Sequence, residues 1–307
     1  MGQWIERTPM PKALHDMQAI TVDGRIYVIS GADEETYDTV NIYDPDSDSW
    51  NQGPPIPSKR GWFGAALLDG YIYAIAGKRL RSSEEKERTG DIGNYEIRDS
   101  VVRLELATDT WSSVESISEP RAGVVATVCA GKIYAIGGNA MNNETRSGGP
   151  HLDRVEVYDP DTGHWSMSKP LPVGVQGPSV STFDDRVYVT SGLGGEGASN
   201  HSWVMDPAVG RWEKFAPIPT GRCDSAVVNL GRKMYTFGGW GGDPRHDRVE
   251  VYDVDSDTWS NETPMPQKIA WGTAAPVGER IFVMGGAGLP PSGKGITWLD
   301  NVYELVL

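Results

Sequence analysis

The sequence has only two cysteines, Cys129 and Cys223, among its 307 residues. They fall in non-neighbouring copies of a repeat described below, so we expect two free thiols, which are typical of a reducing cytoplasm. The first residues, MGQWIERTPMPK, have neither the basic nor the apolar part of a secretory signal. We therefore expect a cytoplasmic protein, or a secreted one only where a signal peptide has been removed.

Long apolar runs and positive charge are also scarce. No apolar stretch approaches the roughly 20 residues of a transmembrane helix. Lys and Arg number 28 against 42 Asp and Glu, which gives a formal net charge of -14. Because nucleic acids and anionic membranes are bound through basic surfaces, this balance disfavours both kinds of partner. The composition predicts a soluble globular monomer without a nucleic-acid or membrane partner.

Several motifs of enzymes and metal proteins are missing. The sequence has no paired-histidine zinc signature, no Cys-x-x-Cys, no Gly-x-Ser-x-Gly elbow and no phosphate loop. We therefore predict no metal site and no cofactor. Any catalysis has to rest on ordinary acid and base side chains, and no motif assigns them.

Two marks recur along the chain in step. One is a tryptophan, and the other is a small residue followed by glycine. Both series advance by 46, 61, 54, 47 and 47 residues, which indicates six copies of one unit. The tryptophans are Trp4, Trp50, Trp111, Trp165, Trp212 and Trp259. The doublets are Ser30-Gly31, Ala76-Gly77, Gly137-Gly138, Ser191-Gly192, Gly238-Gly239 and Gly285-Gly286.

One copy, residues 120–165, predicts four strands. VVATVCA is a small and β-branched run, IYAIGG follows a glycine turn, RVEVYDP comes after a loop, and an Asp-Pro turn precedes Trp165. Each copy is therefore interpreted as a four-stranded antiparallel sheet. We expect the glycines of the doublet to let a bulky Trp or Tyr approach the backbone.

The glycine doublet, the Tyr-Asp pair and the spaced Trp resemble the kelch motif over essentially the whole chain. This resemblance implies an all-β fold, a single six-bladed propeller over residues 1–307 with four antiparallel strands per blade. Two copies depart from the pattern, with Leu104-Glu105 and Met205-Asp206 at the Tyr-Asp position. The last copy has no Trp after it, whereas Trp4 precedes any inner strand. The N-terminal strand is therefore expected to complete the last blade.

The long loops emerge on one face, which we call the loop face, and they run over residues 78–99, 139–151, 193–201, 240–246 and 287–298. Function is commonly carried by such loops. The candidate ligand-binding residues at the channel mouth on this face are Arg60, Trp62, Arg121, Gln176, Arg222, Trp240 and Trp271. Trp298 maps to the same face, and Asn139 and Arg146 are further candidate contacts. In loop 78–99 we expect a surface excursion over residues 81–90, and a role as a lid stays open for Tyr95 and its neighbours.

An aromatic wall opposite arginine forks suits a ligand with an apolar or sugar-like body and a carboxylate, and it suits an acidic peptide equally well. The first hypothesis is a binding propeller for a protein partner or a small acidic or apolar ligand. The alternative is a metal-free enzyme. It would be an isomerase similar to the bacterial sialic-acid mutarotases of kelch type, or a biosynthetic enzyme for an apolar substrate. His15, Asp16 and Asp224 are the candidate acid and base residues.

Structural interpretations of the same residues remain open. Trp62 and Trp271 begin inner strands and are equally consistent with a plug of the channel mouth. The arginines could pair with acidic neighbours instead of a ligand. His15 beside Asp16 is also typical of a solvated turn.

Overall fold

The computed structural model describes residues 2–89, 93–140, 149–241, 245–290 and 295–307. These residues form six four-stranded antiparallel sheets, which are the blades of a propeller. The innermost strands of neighbouring blades contact one another in a closed cycle around a channel. All six inner strands line a space of about 220 Å³ within this channel.

The strands of blades 1 to 3 follow the chain from the channel outwards. The first strand of the chain, β1 (Gln3–Glu6), is outside this group. Blade 1 has β2 (Gln18–Val22), β3 (Arg25–Ile29), β4 (Val40–Asp44) and β5 (Ser49–Gln52). Blade 2 has β6 (Gly64–Leu68), β7 (Tyr71–Leu80), β8 (Tyr95–Glu105) and β9 (Thr110–Val114), with helix α1 (Ser83–Thr89) between β7 and β8. Blade 3 has β10 (Val125–Cys129), β11 (Lys132–Ile136), β12 (Val155–Asp159) and β13 (His164–Met167).

Blades 4 to 6 continue this order and add two small hairpins. Blade 4 has β14 (Ser179–Phe183), β15 (Arg186–Thr190), β18 (Ser202–Asp206) and β19 (Arg211–Lys214), with the hairpin β16 (Leu193–Gly194) and β17 (Gly197–Ala198). Blade 5 has β20 (Ala226–Leu230), β21 (Lys233–Phe237), β22 (Val249–Asp253) and β23 (Thr258–Asn261). Blade 6 has β24 (Thr273–Val277), β25 (Arg280–Met284) and β28 (Val302–Val306), with the hairpin β26 (Ala287–Gly288) and β27 (Thr297–Trp298).

The N-terminal strand β1 supplies the outer strand of blade 6, as the sequence predicted. It pairs antiparallel with β28, so that Trp4 lies opposite Leu305. The Trp4 indole packs edge-on against Phe237 of blade 5, with ring centroids 6.1 Å apart. Because β1 covers the outer edge of β28, the last blade has the same four strands as the others.

The repeating tryptophans fasten each blade to the one before it. In every blade the indole Nε1 of the outer-strand Trp donates to a backbone carbonyl in the segment that leads out of the preceding blade, at 2.8–3.2 Å. The acceptors are Thr263, Thr8, Pro54, Glu115, Lys169 and Ala216. The apolar core accordingly divides into six clusters, each between two neighbouring blades.

The glycine doublets have a different role from the one that the sequence suggested. The glycine at the second position of every doublet has a φ between 96° and 108°, which residues with a side chain rarely adopt. A Cβ on Gly286 would lie 2.7 Å from the Ala270 carbonyl oxygen, and one on Gly238 would lie 2.2 Å from that of Ile269. The doublets therefore admit neighbouring backbone rather than a Trp or Tyr ring.

Helical structure is minor. Within the described ranges, α1 is the one helix, and none is long and apolar enough to cross a membrane. Beyond their ladder in blade 2, β7 and β8 continue as a hairpin across a register shift between Ile75 and Gly77. Part of the predicted 78–99 loop is thus an extension of two strands that carries α1 at its tip.

Candidate functional site

The channel mouth is bordered by six equivalent residues, one at the start of each blade. Their backbones share a left-handed conformation, with φ between 53° and 65°. The N–H of each residue donates to the carbonyl of its counterpart in the preceding blade at 2.8–3.1 Å, so that six hydrogen bonds form a closed ring. We call these residues the mouth ring: Asp16, Trp62, Gly123, Gly177, Asp224 and Trp271.

The side chains of the mouth ring differ in how well they suit this backbone. Glycine and aspartate are common in the left-handed region, whereas a bulky residue such as Trp62 or Trp271 is an outlier there. Such a conformation costs roughly 1–2 kcal/mol for an L-residue. Strain of this kind persists where the surroundings enforce it and is concentrated at binding sites. The two tryptophans therefore mark the mouth ring as a candidate functional site.

The two glycines of the mouth ring make room for their neighbours. A Cβ on Gly123 would lie 3.0 Å from the Trp62 indole, and one on Gly177 would lie 2.1 Å from Asp224 Oδ1. The Trp62 indole and the Asp224 carboxylate can thus reach each other, and Trp62 Nε1 donates to Asp224 Oδ1 at 2.7 Å. This hydrogen bond links blades 2 and 5, on opposite sides of the channel.

A cavity of about 460 Å³ lies at the channel mouth, and its wall is mainly apolar. Three repeat positions supply ten of its twelve lining residues: the mouth ring, the residue before it and the residue after the glycine doublet. The other two come from the last loop. The lining residues are His15, Asp16, Trp62, Lys78, Gln176, Leu193, Cys223, Asp224, Trp240, Trp271, Ile296 and Trp298.

Asp16 belongs to a charged cluster on one side of this cavity. Its Oδ2 lies 3.4 Å from the Lys78 ammonium and 3.3 Å from His15 Nδ1. The His15 ring stacks on Trp298 with centroids 4.1 Å apart. Burial opposes ionisation, but Lys78 and His15 together hold the pKa of the Asp16 carboxyl below its usual range. His15 and Asp16 thus form a partly buried pair rather than a solvated turn.

Lys78 occupies an aromatic cleft within the cluster. Its ammonium lies 4.3 Å from the Trp62 ring centroid and 4.8 Å from that of Tyr95, both within cation–π range. Tyr95 also lines a side cavity of about 240 Å³, which shares His15, Lys78 and Trp298 with the main one. Tyr95 thus lies beside the channel mouth, and its role in a lid stays a prediction.

Asp224 has the opposite electrostatic setting. Burial raises the pKa of its carboxyl to about 6, the negative charge of Asp16 acts in the same direction, and hydrogen bonds from Trp62 and Cys223 oppose the rise only in part. Within the described residues, no ion pair joins Asp224 to a cation. Burial likewise raises the pKa of the Cys223 thiol, which therefore stays protonated.

The three arginines predicted to bind a ligand are not in the cavity. Arg60, Arg121 and Arg222 are fully buried, with 0% of each side chain exposed. Arg121 pairs with Glu156 at 2.9 Å, and Arg222 pairs with Glu250. The structure contradicts a ligand contact for these guanidinium groups, because each points into its own blade rather than towards the channel mouth.

Arg60 is buried and has no acidic partner among the described residues. In blade 2, Val102 occupies the position that is equivalent to Glu156 of blade 3 and Glu250 of blade 5. Val102 pairs with Ala74 of the neighbouring strand. Arg60 instead donates to the carbonyls of Ala74 at 2.9 Å and Ser100 at 3.1 Å. Backbone oxygens thus take over the role that a carboxylate has in blades 3 and 5.

The remaining sequence candidates do meet at the cavity. His15, Asp16, Trp62, Gln176, Trp240, Trp271 and Asp224 all line it. Asn139 is buried behind this wall and donates from Nδ2 to Gln176 Oε1 at 2.8 Å. Arg146 lies outside the described residues. The structure adds Lys78, Leu193, Cys223 and Ile296, which sequence reasoning missed.

A signal for two of the missed residues is present in the repeat. Lys78 and Leu193 directly follow glycine doublets, as Trp240 does, and all three bridge to the residue before the mouth ring. The position after the doublet could therefore have been tested in every copy. In the part of the chain that the structure describes, no group of three His, Cys, Asp or Glu residues could hold a metal ion.

Comparison with known proteins agrees with this architecture. The family model described as the KLHDC2/KLHL20/DRC7 Kelch-repeats domain matches residues 88–286, and a second, described as Kelch motif, matches residues 13–57. The chain resembles the solved structure titled "Structure of YjhT" with a TM-score of 0.76 and 17% identity, over 95% of each chain. At this identity the likeness shows the fold alone.

Curated relatives match a smaller share of this chain and are themselves longer. Kelch-like protein terF of Aspergillus terreus is 25% identical over 63% of this chain and 41% of its own length. Human Kelch-like protein 23 is 26% identical over 62% of this chain and 31% of its own length. Alpha-scruin of Limulus polyphemus is 26% identical over 64% of this chain and 21% of its own length. The chain spans less than half the length of these relatives. With the family model matching more than half of the chain and six blades of kelch type, this protein belongs to the kelch-repeat family.

Proposed function

We propose that this propeller is a binding protein whose channel mouth holds a small ligand with a flat, largely apolar body. The observation that carries the proposal is the cavity of about 460 Å³ with four tryptophans in its wall. Ligand sites are commonly concave, mostly apolar and of about 300–1,000 Å³, with a few polar groups that fix orientation. Asp16, Gln176 and Asp224 are such groups here.

A small ligand suits the mouth better than a flat protein surface does. The six N–H groups of the mouth ring donate to carbonyls of the same ring, and the Trp62–Asp224 hydrogen bond crosses the channel. A ligand therefore meets indole faces and side-chain polar groups rather than backbone. The side chain of a protein partner could occupy the same space, so a peptide-binding role on the loop face stays a prediction.

The loss of the arginines changes which ligands we favour. The acidic-ligand hypothesis depended on guanidinium forks, and these groups are buried in the blades. In the described wall of the cavity, Lys78 is the one Lys or Arg, and it is already 3.4 Å from Asp16. Neutral or cationic ligands are therefore favoured over sialic and uronic acids.

The experiment is isothermal titration calorimetry with tryptophol, a neutral indole alcohol. We expect saturable binding that Trp271→Ala weakens at least tenfold. The matched control is Trp203→Ala, because Trp203 lies in a third strand, away from the cavity. An absence of binding to tryptophol, tryptamine and indole-3-acetate alike, or equal losses in both variants, would count against the proposal.

A second candidate function is proton transfer without a metal. Asp224, whose pKa is near 6, and the His15–Asp16 pair line the same cavity, which supplies one acid and one base. An isomerase of an apolar substrate would use them in these roles. The test is deuterium incorporation from D2O into a bound ligand, followed by NMR. Deuterium incorporation that both Asp224→Asn and His15→Gln abolish would support an enzymatic function. No incorporation above the background rate would contradict this function.

A further inference from the structure

We propose that the ligand of the channel mouth carries a cationic nitrogen, which sits on the Asp224 carboxylate while the attached apolar body lies among the tryptophans. This inference rests on the proposed function and narrows its ligand to one chemical class, an amine on a flat apolar body. It follows from the difference between the two carboxylates of the cavity.

Among the described residues, Asp16 has a cationic partner and Asp224 has none. The Asp16 carboxylate has the Lys78 ammonium at 3.4 Å and the His15 ring at 3.3 Å. Asp224 has one indole donor, Trp62 Nε1, and the weakly donating thiol of Cys223. A half-buried carboxylate without a counter-cation is costly, so a ligand that brings a positive charge gains an interaction that the described residues do not supply.

Asp224 is held in place for such a contact. Its N–H donates to the Gly177 carbonyl at 2.8 Å, and its Oδ1 accepts from Trp62. The missing Cβ of Gly177 leaves the space that the carboxylate fills. The carboxylate is therefore held in place in the wall of the cavity, which lowers the cost of ordering it on binding.

The indole faces provide the second half of the recognition. The protein's own cations already use two of them: Lys78 lies 4.3 Å from the Trp62 ring, and the Arg245 guanidinium lies 5.4 Å from the Trp271 ring. The tryptophans of the mouth thus present faces that a cation can approach within cation–π distance. Trp240 and Trp298 complete the apolar wall on which an aromatic body can pack.

The charge around the site acts in the same direction. The formal net charge of -14 attracts cations to the molecule as a whole. Nearby, the negative charge of Asp16 raises the pKa of Asp224, and the opposing effect of the Lys78 ammonium, which lies 3.4 Å from Asp16, is smaller. Arg222 precedes Asp224 by two residues but is paired with Glu250 inside blade 5. The titratable and charged groups on the surrounding elements are His15, Asp16, Lys78, Cys223, Arg222 and Arg245.

The test compares three ligands with one indole body and three charges by titration calorimetry at pH 7.5. They are tryptamine (cation), tryptophol (neutral) and indole-3-acetate (anion). We expect tryptamine to bind at least about tenfold more tightly than tryptophol, in line with a charged hydrogen bond, and indole-3-acetate to bind most weakly. In Asp224→Asn the affinity for tryptamine should fall to within about threefold of the affinity for tryptophol, because the amide keeps the shape of the carboxylate and removes its charge.

Asp185→Asn is the matched control. Asp185 has a left-handed backbone like Asp224, with φ of 54° against 53°, but it lies exposed in the turn between β14 and β15. It removes the same unit of net charge, so a preference for tryptamine that survives in this variant is a local effect of Asp224. If Asp185→Asn abolishes the preference as Asp224→Asn does, the effect is long-range and the inference is overturned.

Proton release gives a readout independent of affinity. Tryptamine binding at pH 6 should release protons from the wild type, because the cation favours ionised Asp224, and it should release none from Asp224→Asn. The release is measured by titration in two buffers of different ionisation enthalpy. Equal affinities for tryptamine and tryptophol, or a tryptamine preference that persists in Asp224→Asn, would overturn the inference but leave the proposed function intact. No binding by any of the three indoles would overturn both.

Discussion

The outer strand and the channel mouth each provide six equivalent positions, one per blade, and they differ in what is kept constant. In the outer strands both the residue and its contact are constant, since every Trp donates to a carbonyl next to the preceding blade. In the mouth ring only the backbone is constant, and the side chains are Asp, Trp or Gly. The constant contacts hold the blades together, whereas the variable side chains above a constant ring shape the cavity.

The largest effect should come from removing one of the constant contacts together with its strand. Deletion of residues 1–8 removes β1 and the Trp4 indole, which packs on Phe237 and donates to the Thr263 carbonyl at 3.1 Å. We expect a loss of more than about 4 kcal/mol in the free energy of unfolding, since burying a Trp alone accounts for about 3–5. Urea unfolding measures it. Removal of the half-exposed Leu307 is the control, and a truncated chain as stable as that control would contradict the expectation.

A pair of tryptophan variants tests the comparison directly. Trp259→Ala removes an outer-strand indole that donates to the Ala216 carbonyl at 2.8 Å and contacts the Tyr252 ring. We expect it to cost about 3 kcal/mol and to leave ligand binding unchanged. Trp271→Ala should cost less than about 1 kcal/mol, because its site opens to the cavity, and should weaken tryptophol binding at least tenfold. Thermal melting and titration calorimetry on both variants check this, and similar losses of stability would erase the distinction.

A glycine variant tests the mouth ring at one of its narrow points. In Gly177→Ala the new Cβ would meet Asp224 Oδ1 at 2.1 Å, and the backbone has a φ of 53°. Overpacking and left-handed strain together should cost about 2–4 kcal/mol. Gly231→Ala is the matched control with a φ of 58° and no atom within 4 Å of the new Cβ, so it should lose about 1 kcal/mol. Equal losses by urea unfolding would show that the contact with Asp224 is unimportant.

The smallest effect concerns the pH dependence of stability. The Asp224 pKa of about 6 is above its unfolded value, so its neutral form favours folding. This contribution is fully present below pH 4 and is lost as the pH rises through 6. Asp224→Asn should therefore be more stable than the wild type by about 1–2 kcal/mol at pH 7.5, and the difference should vanish near pH 4. Thermal melting at both pH values measures this, and a difference independent of pH would rule out Asp224 as its source.

The fold could be predicted from the sequence because its marks are local. A Trp or a glycine doublet has the same structural role wherever it recurs, so five intervals between six marks were enough to predict six blades and the closure by β1. The mouth residues could be aligned for the same reason. The directions of their side chains could not be predicted, because a position in the repeat does not fix the conformation of a long side chain. The three arginines are buried inside their blades.

Some of the errors had a visible cause. Glu156 and Glu250 occupy the same position of the RVEVYD segments that occur twice, and each neutralises the arginine of its own blade. Each blade with this glutamate also has an arginine two residues before the mouth ring, Arg121 or Arg222. This co-occurrence favoured an ion pair inside the blade. The importance of Lys78 could not be derived in this way, because its contacts with Asp16 and Tyr95 join blades 1 and 2 and a distant part of the hairpin.

The pairing of β1 with β28 has a consequence for folding during synthesis of the chain. Translation proceeds at about 5–20 residues per second, so the roughly 300 residues between these strands take about 15–60 seconds to emerge. During that time β1 has no partner strand. A chain that ends before Val302 lacks β28 and leaves β1 unpaired. Blade 6 is therefore completed only after β28 has been synthesised.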